Sequence, residues 1–477
     1  MGGRIGNFIG RPENLFTTFA LFFGLLFCFL TGPFQAPDEF VHYFRAYSLS
    51  EGNCVGYVGA GKLPSFAMGH LSEHRFNIPY SQGKMYGYSL PFSLFEAARS
   101  FQYLQHNPGN KVDPAVVRDL LDNPLYPERR IFFQTSVFLP VNYIPQAAGI
   151  FIGRLFKLSP LALLYCGRVA NLLVWILLIR GAISLSPILK WVLGVIALLP
   201  ISLFLASSLS YDAFTNAICF SLIALILNMA FDEQRLGAKD WFMLLIVSLS
   251  VALSKYVYVA LLLAYFIIPA WKAGGRRRYF LFFFIILGVD LLASGSWFHH
   301  FEWQKHISSS SGLSPNIAYA LEQPVQLGAS YLQAFRDFGL QWVRHFFGVL
   351  GWLDIPLPFY LQLYSGFMLL VVCLYDHNPE IALNLRQKVV LAMPTLAVLL
   401  LAGVALYLTY NQAGAKAIEG IQGRYFIPIA PLVGALFYNR KLKLQNPQAF
   451  IHRMLPLYFT VSLAGSAWLI LRRYYSI

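Results

Sequence analysis

Apolar residues gather along the chain into long runs broken by short polar segments. The runs lie near 15–33, 161–182, 188–208, 211–231, 241–254, 257–271, 279–297, 359–376, 389–410, 425–439 and 454–471. Most are long enough to cross a hydrocarbon core about 30 Å thick as α-helices. The pattern therefore predicts eleven membrane spans in one bundle over 1–477. The pair 241–254 and 257–271 is short and reads equally as one broken helix. Two long polar segments interrupt the series, 34–160 and 298–358. The first contains an apolar stretch, 139–157, with Pro140 and Pro145. The second contains a Ser-rich stretch at Ser308–Ser311 and an amphipathic pattern through Leu321–Phe338.

Charge orients this series. Arg4/Arg11, Arg180/Lys190, Arg235/Lys239, Lys272/Arg276/Arg277/Arg278, Arg386/Lys388 and Arg440/Lys441/Lys443/Arg453 fall on one side and hold 16 of the 36 Lys and Arg. Short loops rich in Lys and Arg stay in the cytoplasm. The expected N-terminus is then cytoplasmic, with the first run an uncleaved helix, and the C-terminus lies outside. A span at 139–157 would invert every later loop, so that stretch is expected to be juxtamembrane or re-entrant. Segments 34–160 and 298–358 become extracytoplasmic. The net charge of +14 is explained by this topology, and nucleic-acid binding is not expected. Four of the five cysteines lie in apolar runs and Cys54 stands alone, which supports neither a disulfide framework nor a zinc site.

The residues able to do chemistry collect at the outer ends of the runs. Pro37-Asp38-Glu39 opens the first loop, with a helix start where proline and acids suit the free N–H groups. If 38–50 is helical, Asp38, His42 and Arg45 share one face. A capped amphipathic helix explains these residues as well as a catalytic site does. Asp212 follows the third run, where it either caps the next helix or lines the same cavity as Asp38. Lys255 and Tyr256 separate two short runs, and a lysine there either snorkels or binds an anion. Arg168 lies inside the second run and needs a partner. Gly423-Arg424-Tyr425 enters a run from outside, combining close backbone approach with a guanidinium suited to phosphate. His299, His300, Glu302 and His306 form at most a weak metal set. No Gly-rich phosphate loop, Gly-x-Ser-x-Gly or His-Glu-x-x-His occurs.

Pro37-Asp38-Glu39-x-x-His42-x-x-Arg45-Ala46, Tyr143-Ile144-Pro145, Leu199-Pro200, Ser210-Tyr211-Asp212, Lys255-Tyr256, Gly348-x-x-Gly351-Trp352-x-Asp354 and Gln422-Gly423-Arg424-Tyr425-Phe426-x-Pro428 resemble the bacterial membrane-protein family catalogued as domain of unknown function 2142. The match runs over most of the chain. That family is similar to the GT-C class of polyprenyl-phosphate-dependent glycosyltransferases. In that class an acid sits in the first external loop and a second often follows helix three, the places of Asp38 and Asp212.

The resemblance implies an all-α, GT-C-like bundle in the bacterial inner membrane with its active site facing outward. It implies transfer of a sugar from a polyprenyl-phosphate donor to a cell-surface glycan such as O-antigen or a wall polymer, with inversion. Asp38 is the expected base, with Glu39 competing. His42, Arg45 and Asp212 would support it. Lys255, Arg424 and Arg168 would hold the lipid phosphate, and Tyr425 and Tyr256 would pack on the donor. No cofactor is expected, and a divalent metal has no motif behind it. A transporter or flippase, a non-catalytic assembly protein and a polymerase of lipid-linked oligosaccharides are the competing readings.

Overall fold

Apolar composition sets the helices, and proline sets where they start and break. The computed structural model describes residues 10–61, 83–134, 139–308, 314–376, 378–439, 442 and 447–476. Arg4, Arg440, Lys441 and Lys443, and the Ser309–Ser311 part of the Ser-rich stretch, lie outside the described residues, as do the side chains of His300, Glu302 and His306. Helix α1 (Pro12–Leu30) carries Pro12 at its first position, where a missing N–H costs nothing. After it come α2 (Glu39–Ser50), strands β1 (Tyr57–Gly61) and β2 (Gly83–Pro91), α3 (Phe92–Arg99), α4 (Pro114–Asp122), β3 (Arg130–Gln134) and α5 (Ile144–Leu155). The strands form an antiparallel sheet in the order β1-β2-β3, a small β element that the apolar pattern did not foretell.

The 139–157 stretch is a 3₁₀ turn (Pro140–Tyr143) followed by α5. Twelve residues reach about 18 Å as an α-helix, short of a membrane crossing. It packs on α6 (Pro160–Leu185), where Gly149 has no room for a side chain because the Cys166 carbonyl lies against it. Such small-residue contacts let apolar helices touch at their backbones.

The 188–208 run is broken into α7 (Lys190–Ala197) and α8 (Pro200–Ala206), because the residue before Pro200 is pushed out of the helical region. Then follow α9 (Asp212–Phe231) and α10 (Ala238–Ser254). At Lys255 the backbone is extended, and Tyr256–Ile267 continues as a 3₁₀ helix of 12 residues. Runs beyond three or four residues are uncommon for this helix type, and long ones mark strain or function. The pair 241–254 and 257–271 is thus two segments with a break on the lysine.

Helix α11 (Arg276–Ser308) extends past the expected end of its run. The second long segment folds as α12 (Ser314–Glu322) and α13 (Pro324–Gly348), separated at Pro324, and closes with the two-stranded hairpin β4 (Val349–Leu350) and β5 (Ile355–Pro356). The remaining elements are α14 (Phe359–Tyr375), α15 (Leu385–Thr409), a 3₁₀ stretch (Gly423–Ile429) leading into α16 (Ala430–Phe437), and α17 (Pro447–Tyr474).

All eleven apolar runs are helical. Among the described residues six helices are long and apolar enough to cross a membrane: Pro12–Leu30, Pro160–Leu185, Asp212–Phe231, Arg276–Trp297, Leu385–Thr409 and Arg453–Tyr474. The other runs are shorter or broken. One large apolar core joins these helices to the folded part of segment 34–160.

Candidate functional site

Two adjacent acids after α1 have opposite surroundings. Glu39 is the first residue of α2 and is fully buried. Its carboxylate meets the guanidinium of Arg168 from α6 at 2.6 and 2.8 Å and also accepts the Leu209 N–H at 3.1 Å. Arg168 donates besides to the carbonyls of Cys28, Thr31 and Gly32 at the end of α1. Those carbonyls are left over by the last helical turn and need donors. The Glu39–Arg168 pair is therefore a clamp between α1, α2 and α6. This corrects two expectations: Glu39 does not compete as a base, and Arg168 has no hand free for a phosphate.

Asp38 is the opposite case. It holds a left-handed backbone at φ 55° and stands just before α2 rather than on its face. Its carbonyl takes the first helical bonds, from Val41 and His42, but its carboxylate makes no capping bond. The cap explanation fails, and the carboxylate stands at an exposed position with no capping role. Desolvation holds it above the usual carboxylate range, with Asp212 adding to the rise and Arg424 opposing it.

Asp212 does not cap its own helix either. It sits at the start of α9 in a loop tied down by Asn171, which donates to the carbonyls of Ser208 and Ser210. Its Oδ1 lies 2.8 Å from Lys255 Nζ, and its Oδ2 lies 3.6 Å from Arg424 Nε. Lys255 occupies the break before the first 3₁₀ segment, and Arg424 is the second residue of the other. The Lys255 ammonium lies 4.8 Å from the Tyr211 ring centre and 4.7 Å from that of Tyr425, which stabilises a partly desolvated cation. Tyr258 donates to the Tyr425 carbonyl at 2.9 Å and joins the two 3₁₀ segments. Gly423 lies against the α13 backbone at Trp342 and Phe346 so closely that a Cβ would collide with main-chain atoms. That contact explains glycine in this position and seats Arg424 beside α9.

His42 reaches the same cluster. Its Nδ1 is hydrogen-bonded to the Tyr143 hydroxyl at 2.8 Å, and its ring stands edge-on to Tyr211 at 5.2 Å. Burial drives its pKa down to about 3; Asp212 resists, while Arg424 and Lys255 add to the fall. It is a neutral hydrogen-bonding group, not a cation. An unfolded histidine titrates near about 6.5. Its contribution to stability is therefore intact above that value and is lost as pH falls from there toward about 3. Thermal unfolding in detergent should show a His42→Gln variant losing less stability than the parent between pH 7 and 5. Equal losses would show that His42 does not carry this dependence.

The structure thus joins Asp38, His42, Asp212, Lys255, Arg424 and Tyr425. It separates three others. Arg45 donates to the carbonyls of Asn53 and Cys54 at 3.1 and 2.8 Å and lies over the Tyr88 ring, fastening the turn after α2 instead of orienting Asp38. Arg168 belongs to the clamp. Tyr256 is half exposed, and the places beside Lys255 are taken by Tyr211 and Tyr425. Tyr143, Tyr211 and Tyr258 were not assigned roles from sequence. Tyr143 and Tyr211 stand inside the strings Tyr-Ile-Pro and Ser-Tyr-Asp, but nothing in those strings links them across about seventy residues. Among the described residues no group of three or more His, Cys, Asp or Glu is placed to hold a metal.

Residues 21–433 match the family described as predicted membrane protein, DUF2142. The chain belongs to this family. No curated protein and no solved structure matches it. Membership covers the α1 end, the α9 start, Lys255 and the Gly-Arg-Tyr-Phe segment, so every group of the joined cluster lies within the family's span.

Proposed function

We propose that this protein is a membrane glycosyltransferase that moves a sugar from a polyprenyl-phosphate donor to an extracytoplasmic glycan acceptor. The observation that carries the reading is an apolar groove of about 710 Å³ whose lining includes Phe426, on the same short 3₁₀ segment as Arg424. It lies between α13, α14, α15 and the segment Phe426–Phe437, and its walls include Trp342, Phe346, Leu399, Phe426, Val433 and Phe437. Phe426 is two residues from Arg424. A groove of this character takes a hydrocarbon chain, and the cations carried by the neighbouring segment take an anion. Arg424 Nε is buried and has no hydrogen-bond acceptor among the described residues, which leaves a donor for a phosphate oxygen.

The chemistry follows from this layout. Asp38 accepts the proton of an acceptor hydroxyl. The hydroxyl oxygen forms a bond to the anomeric carbon as the bond from that carbon to the phosphate oxygen breaks. The electron pair leaves on the phosphate, and Lys255 and Arg424 stabilise its charge. His42 and Tyr143 shape the wall beside the base, and Asp212 holds both cations in place. One carboxylate acting opposite the leaving group gives inversion. In this reading the cluster faces outside the cytoplasm, in an inner membrane with the N-terminus inside, which the distribution of basic loops supports. The finer architecture of this reading is an eleven-span, GT-C-like bundle with 34–160 and 298–358 outside, and its glycan is an envelope polysaccharide.

Asp290 favours a second reading. It is buried within α11, with only Ser248 near one oxygen at 3.4 Å and no hydrogen bond to the other among the described residues. An uncompensated acid inside a span is a feature of ion-coupled transport. Release of free lipid phosphate, which transport does not produce, separates the two readings.

The lipid site is tested by native mass spectrometry of the full chain in nanodiscs loaded with undecaprenyl phosphate. The parent should retain the lipid, and Arg424→Ala should lose at least about tenfold in occupancy, as expected for a lost charge-assisted contact. Retention of bulk phospholipid alone, or lipid phosphate held equally by both proteins, would overturn the assignment.

A further inference from the structure

Three aromatic side chains from distant parts of the chain meet at the start of α2, the helix that opens just after Asp38. Phe40 lies two residues after it on α2. His106 comes from the loop after α3. Trp352 comes from the turn between β4 and β5. The Phe40 and Trp352 rings are 6.4 Å apart and within 21° of parallel, and the His106 ring stands at 66° to the indole at 5.6 Å. Phe40 and Trp352 are half-buried, and His106 is exposed.

The fold goes to some length to hold these rings. Six described non-glycine residues have positive φ, and four of them are here: Phe34 at 62°, Asp38 at 55°, His106 at 55° and Leu353 at 63°. Backbone strain of this kind persists only where surrounding contacts enforce it, and it concentrates at working sites. The contacts are present. The Trp352 indole donates to the Phe34 carbonyl at 3.3 Å. Arg473, near the end of α17, pairs with Asp354 at 2.8 Å and donates to the carbonyls of Leu104 and Asn110 at 2.7 and 3.2 Å. One largely buried guanidinium thereby locks the turn carrying Trp352 to the loop carrying His106.

We propose that Phe40, Trp352 and His106 form a subsite for a pyranose ring of the glycan acceptor, delivering its hydroxyl to Asp38. The choice of a glycan rests on the transferase reading above; the platform rests on its own geometry. The C–H face of a sugar ring carries partial positive charge and stacks on the negative face of an aromatic ring. The exposed His106 ring, inclined at 66° beside the indole, adds a hydrogen-bonding side chain for the sugar hydroxyls. Residues anchored only for the membrane interface would need neither the cross-link through Arg473 nor the strained turn.

Saturation-transfer NMR on the full chain in deuterated detergent tests binding directly. The probes are soluble tetrasaccharides of glucose, galactose, mannose and rhamnose. At least one should receive saturation on its ring C–H protons. Trp352→Ala and His106→Ala should each weaken that signal, and Trp352→Phe should restore most of it. In transfer assays Trp352→Ala should raise the acceptor KM about tenfold and leave the donor KM unchanged, the effect of one lost aromatic stack. No transfer by a parent that binds the glycan would sink the transferase reading and keep the subsite. Transfer with an unchanged acceptor KM in both alanine variants, or no tetrasaccharide bound at all, would overturn the subsite. Quenching of Trp352 by brominated lipid in nanodiscs would do so too, because the indole would then lie in the bilayer.

Discussion

Glu39→Ala is expected to remove most folded protein from the membrane fraction. The substitution leaves Arg168 charged inside the bundle, with neither residue at all exposed to solvent. Breaking a buried pair by removing one partner costs about 3–5 kcal/mol, a large part of the roughly 5–15 kcal/mol that stabilises a typical domain. Replacing both partners with methionine should recover only part of the loss. Arg168 also serves the carbonyls of Cys28, Thr31 and Gly32, and an apolar side chain leaves those acceptors bare. The measurement is fluorescence-detected size exclusion with a thermal ramp. A single variant melting with the parent would show that the clamp does not carry the junction of α1, α2 and α6.

The neighbouring residue gives the reverse outcome. Asp38→Asn should express and melt like the parent, because the carboxylate caps nothing. Its effect should fall on chemistry. Loss of a general base typically costs about 10²–10⁴-fold in rate. The readout is release of free undecaprenyl phosphate from a lipid-linked sugar donor, which needs no knowledge of the product glycan. The parent's rate should fall on acidification at a pH above about 3.9, the ordinary aspartate value, because desolvation and Asp212 raise this carboxyl in the folded protein. The base works ionised, so activity is present above the raised pKa and lost below it. Full activity in a well-folded Asn variant would exclude Asp38.

The contrast between residues 38 and 39 marks how far the sequence could be read. Apolar run length located the helices of the bundle but not the short ones of 34–160 such as α3 and α4, and alternating loop charge brought Asp38, Asp212, Lys255 and Arg424 to one end of the bundle before any contact was known. Sequence could not rank two adjacent carboxylates, because their difference lies in the backbone. A left-handed Asp38 leaves its side chain exposed while Glu39 starts the helix pointing inward. Arg45 sits at helical spacing from His42, yet the turn after α2 offers it two carbonyls that spacing does not reveal. The two 3₁₀ segments were illegible for another reason. Tyr256–Ile267 and Gly423–Ile429 are apolar on nearly every side, so no periodicity distinguishes three residues per turn from 3.6. Trp352 stood in a noted motif, but its partners Phe40 and His106 are more than two hundred residues away.

The winding of Tyr256–Ile267 has a consequence for how this site tolerates change in chain length. At about 2.0 Å per residue the twelve residues reach about 24 Å, where an α-helix would reach about 18 Å. Side chains repeat every third residue, so the segment behaves as a ruler graduated in threes. Removing one residue swings Lys255 through a third of a turn, away from Asp212 and the two tyrosine rings. Removing three lowers it by about 6 Å but returns it to the same bearing. Each residue sets both the reach and the heading of the cation, by about 2 Å and about 120°, and heading is the one a single deletion destroys.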